Sequence, residues 1–165
     1  MSYNILFVCT GNICRSPLAE GVFLQKLQQE NIERGFIIDS AGTNAWYLGV
    51  PPDKRTQKLA THHNIELPHL SRQLVLKDFQ FFDLIIAMDT TNYEDLIKLA
   101  SSTQKKNIFL LRDFDTTDDS NKNIPDPYHG NRKSFEVVYK MIEHCCSNLI
   151  PFVKNLAEKK KRKNK

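Results

Sequence analysis

Residues 4–17 read Asn4-Ile5-Leu6-Phe7-Val8-Cys9-Thr10-Gly11-Asn12-Ile13-Cys14-Arg15-Ser16-Pro17. The first six are a short apolar run rich in β-formers, which predicts a strand buried on both faces. Gly11 and Asn12 then punctuate a loop. Pro17 stands where a first helical turn tolerates proline, because the missing N–H has no helical partner there. Leu18, Val22, Phe23 and Leu27 recur at helical spacing and predict an amphipathic helix over 17–30. Strand, tight loop and helix in that order open a parallel α/β unit.

The rest of the chain repeats the alternation. Strands are expected at 36–40, 83–88 and 108–111, and helices at 54–63 (capped by Asp53), 74–81 and from an Asp89 cap to about Ala100. Gly42, Gly49, Pro51 and Pro52 make 41–52 a loop, and 112–130 is polar and turn-rich, ending in Pro125-Asp126-Pro127-Tyr128. A long helix follows over about 131–157, with Pro151 as a kink or break. The expected fold is an α/β three-layer sandwich, with a roughly four-stranded parallel twisted sheet and helices on both faces. Ligands of such sheets bind outside the carboxyl ends of the strands. The loop after Val8 begins at one of those ends.

The 165 residues suit one domain over 1–157, followed by a basic, disordered tail over 158–165. Of the positive charges, six lie in the last seven residues, so residues 1–158 carry a net charge of −2 and the formal +4 belongs to the tail. A mildly acidic body argues against a nucleic-acid partner; the tail allows only a weak contact with anionic surfaces. No apolar run approaches the ~18 residues of a membrane span. The N-terminus shows no signal-peptide pattern, so a cytoplasmic location is expected. The four cysteines, Cys9, Cys14, Cys145 and Cys146, are then expected as thiols, with no metal-binding spacing among them and no cofactor implied.

Cys9 and Arg15 enclose five residues, and a helix starts at once. Backbone N–H groups curling round such a loop form a concave anion site, and the helix start adds unpaired N–H groups and partial positive charge. A guanidinium holds two oxygens of a phosphate together. A thiol in that field ionises more easily, and the thiolate is a nucleophile. Ser16 is placed to donate to the sulfur. Cleaving a phosphate ester also needs an acid for the leaving group; the carboxyl of Asp126, on a proline-stiffened loop, can supply one, and from the residues alone it equally fits a plain turn aspartate.

Val8 to Pro17 resembles the signature loop of the low-molecular-weight protein tyrosine phosphatases. Asp39-Ser40-Ala41-Gly42, Ser71-Arg72-Gln73, Ala87-Met88-Asp89 and Asp126-Pro127-Tyr128 occur in the order of that family. The resemblance implies a metal-free, two-step hydrolysis of phosphotyrosine proteins or aryl phosphates through a phosphocysteine on Cys9. Arg15 would bind phosphate together with Thr10, Gly11, Asn12, Ile13, Cys14 and Ser16, and Asp126 would serve as acid and then base. Asn12, Ser40 and His69 match residues that brace the loop, and Trp46 and Tyr128 match walls for the substrate ring. Cys14 matches a second cysteine that pairs with the nucleophile under oxidation. His129 departs from the Asp-Pro-Tyr-Tyr of many eukaryotic relatives.

Three other readings share the loop. Arsenate reductases of this fold need two further mid-chain cysteines, and residues 15–144 contain none. Protein arginine phosphatases carry threonine where Ile13 stands, and Ile13 offers an apolar wall to an aromatic ring. A silent phosphate-binding module would have lost Cys9 or Asp126, and both are present.

Overall fold

The computed structural model describes residues 2–67, 70–117 and 120–163. Four parallel strands form one sheet: β1 (Tyr3–Cys9), β2 (Phe36–Gly42), β3 (Leu84–Ala87) and β4 (Ile108–Leu110), in spatial order β2-β1-β3-β4. The helices are α1 (Arg15–Gln29), α2 (Lys54–His62), α3 (Asp78–Phe81), α4 (Thr90–Leu99), α5 (Ser102–Lys105) and α6 (Arg132–Lys163). The expected α/β sandwich is the architecture found.

β1 is buried along its whole length because both faces are covered. Ile5, Phe7 and Cys9 point into the cluster built with Leu18, Val22 and Phe23 of α1 and with Ile142, Cys146 and Leu149 of α6. Leu6 and Val8 point into the opposite cluster with Phe79, Phe82 and Leu96. β3 alternates in the same way, with Leu84 and Ile86 on one face and Ile85 and Ala87 on the other. Each fully buried Val, Leu, Ile or Phe among them contributes about 1.5–3 kcal/mol by leaving water. Slipping β1 by one residue would exchange the two faces, so the register with β2, Cys9 opposite Gly42, is well specified.

Strand order reverses at β1, with β2 on one side and β3 on the other, and the crevice at such a reversal is where these folds bind ligands. The loop 10–14 leaves β1 at that point. Asp53 and Asp89 cap α2 and α4 as expected, accepting from Arg55 N and Asn92 N.

Three expectations need correction. The helix over 74–81 is confined to Asp78–Phe81, and two 3-10 turns (Glu33–Gly35 and Leu111–Phe114) and α5 were not foreseen. Pro151 does not break α6. An interior proline costs about 3 kcal/mol, but Leu149, Ile150, Val153 and Ala157 are buried on both sides of it and hold the helix on course. The tail is helical rather than disordered through Lys163. Within it Lys160 Nζ is held by Asp83 Oδ2 at 2.6 Å and by Ser2 O at 3.1 Å, and just before it Lys154 Nζ is held by Glu30 Oε2 at 2.8 Å. Among the described residues no helix is long and apolar enough to cross a membrane.

Candidate active site

The loop is shaped by where its carbonyls go. Thr43 N takes Cys9 O at 2.9 Å, Asn44 N takes Thr10 O at 3.0 Å and Asp53 N takes Ile13 O at 2.8 Å. A trans peptide holds its C=O and N–H on opposite sides, and no peptide bond here is cis, so the N–H groups of Thr10, Gly11 and Cys14 turn away from those partners. Asn12 N follows suit and points at Cys9 Sγ, 3.3 Å away. Ser16 Oγ lies 3.0 Å from the same sulfur.

Asn12 holds this curvature with its backbone and its side chain. Its φ is +55°, a left-handed conformation that asparagine tolerates better than most residues. Its amide nitrogen donates to Ser16 Oγ and Ser40 Oγ, each at 2.9 Å, and its Oδ1 accepts from Arg72 N at 2.9 Å. Arg72 is itself fixed by Asp39 and Asp78. The loop therefore leans on β2 through Ser40 and on the 71–73 segment through Arg72. Gly42 completes the support: a Cβ there would meet Thr10 O at 2.7 Å and Asn12 N at 3.2 Å.

Arg15 opens α1 yet is only 2% exposed. Its Nη1 donates to Asp89 Oδ2 at 2.6 Å and to Ile124 O at 3.0 Å, which fixes one edge of the guanidinium. Its Nη2 makes looser contacts, 3.4 Å to Thr10 Oγ1 and 3.4 Å to Asp126 Oδ2. Burial disfavours the charge, but the Cys9 sulfur and the Asp126 and Asp89 carboxylates outweigh it and hold the guanidinium above its ordinary pKa. Asn92, fully buried on α4, links the same groups. With its amide nitrogen toward Asp89 (3.1 and 3.3 Å) its oxygen accepts from the Thr10 hydroxyl at 3.1 Å.

A cavity of about 250 Å³ stands over the loop. Cys9, Thr10, Gly11, Ile13, Cys14 and Arg15 line it from below, and Trp46, Tyr47, Asp126, Tyr128 and His129 from two other loops. Trp46 is 72% exposed, and the Tyr47 and Tyr128 rings sit 6.0 Å apart. The Asp126 side chain is 51% exposed, with Oδ1 accepting from Tyr128 N at 3.1 Å. Its loop is anchored by Ile124 N, which donates to Met88 O just past β3 at 2.8 Å. Burial pushes the Cys14 thiol up to about 12, opposed in part by the Thr56 hydroxyl and supported by Asp53, so Cys14 stays protonated at neutral pH.

The structure thus brings together every site residue expected from the sequence except His69, which lies outside the described residues. The Asn12 side chain reaches down from the loop to Ser16 and Ser40. Three contributors were missed. Asp89 reads in the sequence as a helix cap and as part of the Ala87-Met88-Asp89 motif, with no sign that it also pairs with Arg15. Asn92 and Tyr47 carry no local signal, since one acts from inside a helix and the other beside a more conspicuous tryptophan. The Tyr47 ring packs on Gly11, where a Cβ would come within 2.9 Å of it.

Fold and loop define a class first: parallel α/β chains with a Cys-x5-Arg loop at the reversal point of the sheet. Comparison with known proteins narrows the class. The sequence model of the family described as low molecular weight phosphotyrosine protein phosphatase matches residues 4–162. The chain is 43% identical over 145 residues to the low molecular weight phosphotyrosine protein phosphatase of Gallus gallus, covering 87% of this chain and 90% of that one. A crystal structure of a protein tyrosine phosphatase from Entamoeba histolytica with Hepes in its active site superposes with a TM-score of 0.89 at 38% identity, covering 93% of this chain and 98% of the other. A Drosophila arginine phosphatase structure superposes with a TM-score of 0.84 at 32% identity, covering 91% and 97%. The chain belongs to the low molecular weight phosphotyrosine protein phosphatase family, whose members are hydrolases.

Proposed function

We propose that the chain hydrolyses phosphotyrosine in proteins, and aryl phosphates generally, with Cys9 as nucleophile. The observation that carries this is the convergence on one sulfur: Ser16 Oγ at 3.0 Å and Asn12 N at 3.3 Å, with Arg15 and Asp126 lining the same cavity. Donors aimed at sulfur stabilise it as the attacking thiolate and again as the leaving thiolate. The N–H groups of the loop and the loosely held Nη2 edge of Arg15 receive the phosphate oxygens and the charge that builds on them.

In the first step the Cys9 thiolate attacks phosphorus. The bond from phosphorus to the phenolic oxygen breaks, and the Asp126 carboxyl gives that oxygen its proton. In the second, the Asp126 carboxylate takes a proton from water as the water oxygen attacks phosphorus. The P–S bond breaks, inorganic phosphate leaves and the Cys9 thiolate returns. Trp46, Tyr47 and Tyr128 grip the aromatic ring between two faces, and Ile13 closes the floor with an apolar surface.

Arginine phosphatase is the second reading, because a Drosophila arginine phosphatase shares the fold. Ile13 and the three aromatic walls favour an aryl ester over a polar guanidinium. Cys14 serves as a redox partner of Cys9, lining the same cavity. A cytoplasmic, reducing setting suits a thiol nucleophile. The positive charge in the site comes from Arg15 and backbone N–H groups, so activity should persist in EDTA.

The test compares turnover of para-nitrophenyl phosphate, phosphotyrosine peptides and phosphoarginine peptides by the wild type and by Cys9→Ser and Asp126→Ala. Phosphotyrosine is expected to be the faster peptide substrate, with Cys9→Ser inactive and Asp126→Ala about 10²–10⁴-fold slower. Activity surviving in Cys9→Ser would sink the mechanism, and faster phosphoarginine turnover would overturn the substrate.

A further inference from the structure

A second cavity of about 460 Å³ opens between α2 and the start of α6. Its size falls within the range of ligand sites. Leu59 and Phe135 form an apolar floor, and Arg55, Lys58, His62 and Arg132 stand around it against one carboxylate, Glu136. Glu136 is engaged by His63 at 3.4 Å, and Arg55 by Asp53 at 2.8 Å. Among the described residues, Lys58 and Arg132 have no carboxylate within ion-pair distance, and both are exposed. On a body whose net charge is −2, this is a concentrated positive site that the catalytic reading leaves unused.

The cleft neighbours the catalytic cavity across Arg55, which touches a wall of each. The Arg55 guanidinium lies 5.6 Å from the Tyr128 ring centroid and 4.6 Å from that of Phe135. Its Nη1 donates to Gly130 O at 3.3 Å. Tyr128 and His129 wall the catalytic cavity, and two residues after Gly130 the chain starts α6 with Arg132. A peptide whose phosphotyrosine enters the Cys9 cavity therefore passes Tyr128 and His129 and reaches the cationic cleft within a few residues, at ~3.3–3.6 Å per residue.

We infer that the cleft formed by Arg55, Lys58, His62 and Arg132 is a substrate subsite that selects phosphotyrosine segments flanked by glutamate or aspartate. The inference rests on the phosphotyrosine reading above and deepens it. The carboxylate meets Lys58 and Arg132 at the rim, while the aliphatic stem of a glutamate lies on Leu59 and Phe135. Arg55 is held by Asp53 and serves mainly to shape the wall between the two cavities.

The experiment uses the full chain, the double variant Lys58→Glu/Arg132→Glu, and three substrates: para-nitrophenyl phosphate, a phosphotyrosine peptide with glutamates on both sides, and the same peptide with glutamines. Para-nitrophenyl phosphate is too short to reach the cleft and reports the state of the catalytic site. Double charge reversal is expected to lower kcat/KM roughly tenfold for the acidic peptide and less than twofold for the other two substrates. The acidic preference should fade as salt rises, because the rim charges are exposed and the Debye length falls below ~10 Å above 0.1 M. Equal loss on both peptides, no loss on either, or loss on para-nitrophenyl phosphate would overturn the subsite. Absence of any phosphotyrosine turnover by the wild type would instead strike the catalytic reading. A binding measurement then decides the subsite separately, with fluorescent forms of the two peptides and Cys9→Ser protein. Tighter binding of the acidic peptide that the double reversal abolishes supports the cleft, and equal binding of both peptides refutes it.

Discussion

Arg15 Nη1 stands 2.6 Å from Asp89 Oδ2 in a pair that joins the start of α1 to the cap of α4. Through its other oxygen, Asp89 accepts from Asn92 N at 2.7 Å and so starts the helix. One carboxylate therefore aims the guanidinium and nucleates an element. The two roles separate by substitution. Asn caps as well as Asp but carries no charge, so Asp89→Asn should keep α4 capped yet lower kcat/KM about 10–100-fold and lower Tm, because the buried Arg15 guanidinium loses its nearest carboxylate. Asp89→Ala removes the cap as well, at about 1 kcal/mol, and should lower Tm by a further ~2–4 °C. Wild-type kcat/KM in Asp89→Asn would show that Ile124 O alone orients Arg15.

That pair also marks where sequence reasoning stops. The strands, the caps at Asp53 and Asp89 and the Cys9–Arg15 loop were legible because each has a local signature: an apolar run, an oxygen before a helical period, a fixed spacing. Placing Asp126 against the loop needed the family resemblance, since 111 positions separate it from Arg15. Asn92 and Tyr47 were not legible, because their partners are set by how α4 and the 46–50 loop pack. The helical continuation past Pro151 was hidden for a related reason. Proline has a strong local preference, and only tertiary burial of Val153 and Ala157 reveals that the preference is overruled.

Asn12 contributes a left-handed φ of +55° and three side-chain hydrogen bonds, and two variants divide them. Asn12→Gly adopts the backbone freely but leaves Ser16, Ser40 and Arg72 N short of a partner. It should lower kcat about 10²-fold and cost about 1–3 kcal/mol of stability. Asn12→Ala adds the left-handed penalty of about 1 kcal/mol and should melt a further 2–4 °C lower. Equal melting temperatures for the two would mean that the loop has relaxed out of its left-handed turn.

Gly42 is required by close approach. A Cβ there meets only backbone, at 2.7 Å from Thr10 O and 3.2 Å from Asn12 N, so the loop has to move by several tenths of an ångström. Gly42→Ala should lower kcat/KM at least tenfold on para-nitrophenyl phosphate, because the loop's N–H groups shift relative to Cys9 Sγ. A crystal structure of the variant is the check: an unmoved loop alongside wild-type kinetics would remove Gly42 from the supporting set.

The four cysteines differ in what they offer an electrophile. Burial pushes Cys14 and Cys145 each up to about 12 and raises Cys146 further. At pH 7 a thiol with a pKa of 12 is thiolate in only ~10⁻⁵ of molecules; all four cysteines are buried, so what sets Cys9 apart is the pair of donors, Asn12 N and Ser16 Oγ, beside its sulfur. The sign is clear: Cys14, Cys145 and Cys146 gain reactivity only at strongly alkaline pH. Limiting iodoacetate at pH 7 should therefore carboxymethylate Cys9 first, with activity lost in proportion and inorganic phosphate protecting. Peptide mapping that finds Cys14 modified before Cys9 would contradict this order.

Oxidation should give a different pattern, because Cys14 then attacks an activated sulfur. Peroxide converts the Cys9 thiolate to sulfenic acid with release of hydroxide. The Cys14 thiol then displaces that oxygen as water and forms the Cys9–Cys14 disulfide. Since Cys14 is protonated at neutral pH, this second step should accelerate as pH rises toward 12, and the disulfide should form faster at pH 9 than at pH 7. Mass spectrometry after mild peroxide should find the disulfide, with activity restored by a dithiol reductant. In Cys14→Ser the same treatment should give Cys9 sulfinic acid and permanent inactivation. Sulfinic acid at Cys9 beside a free Cys14 in the wild type would end the case for a protective pair.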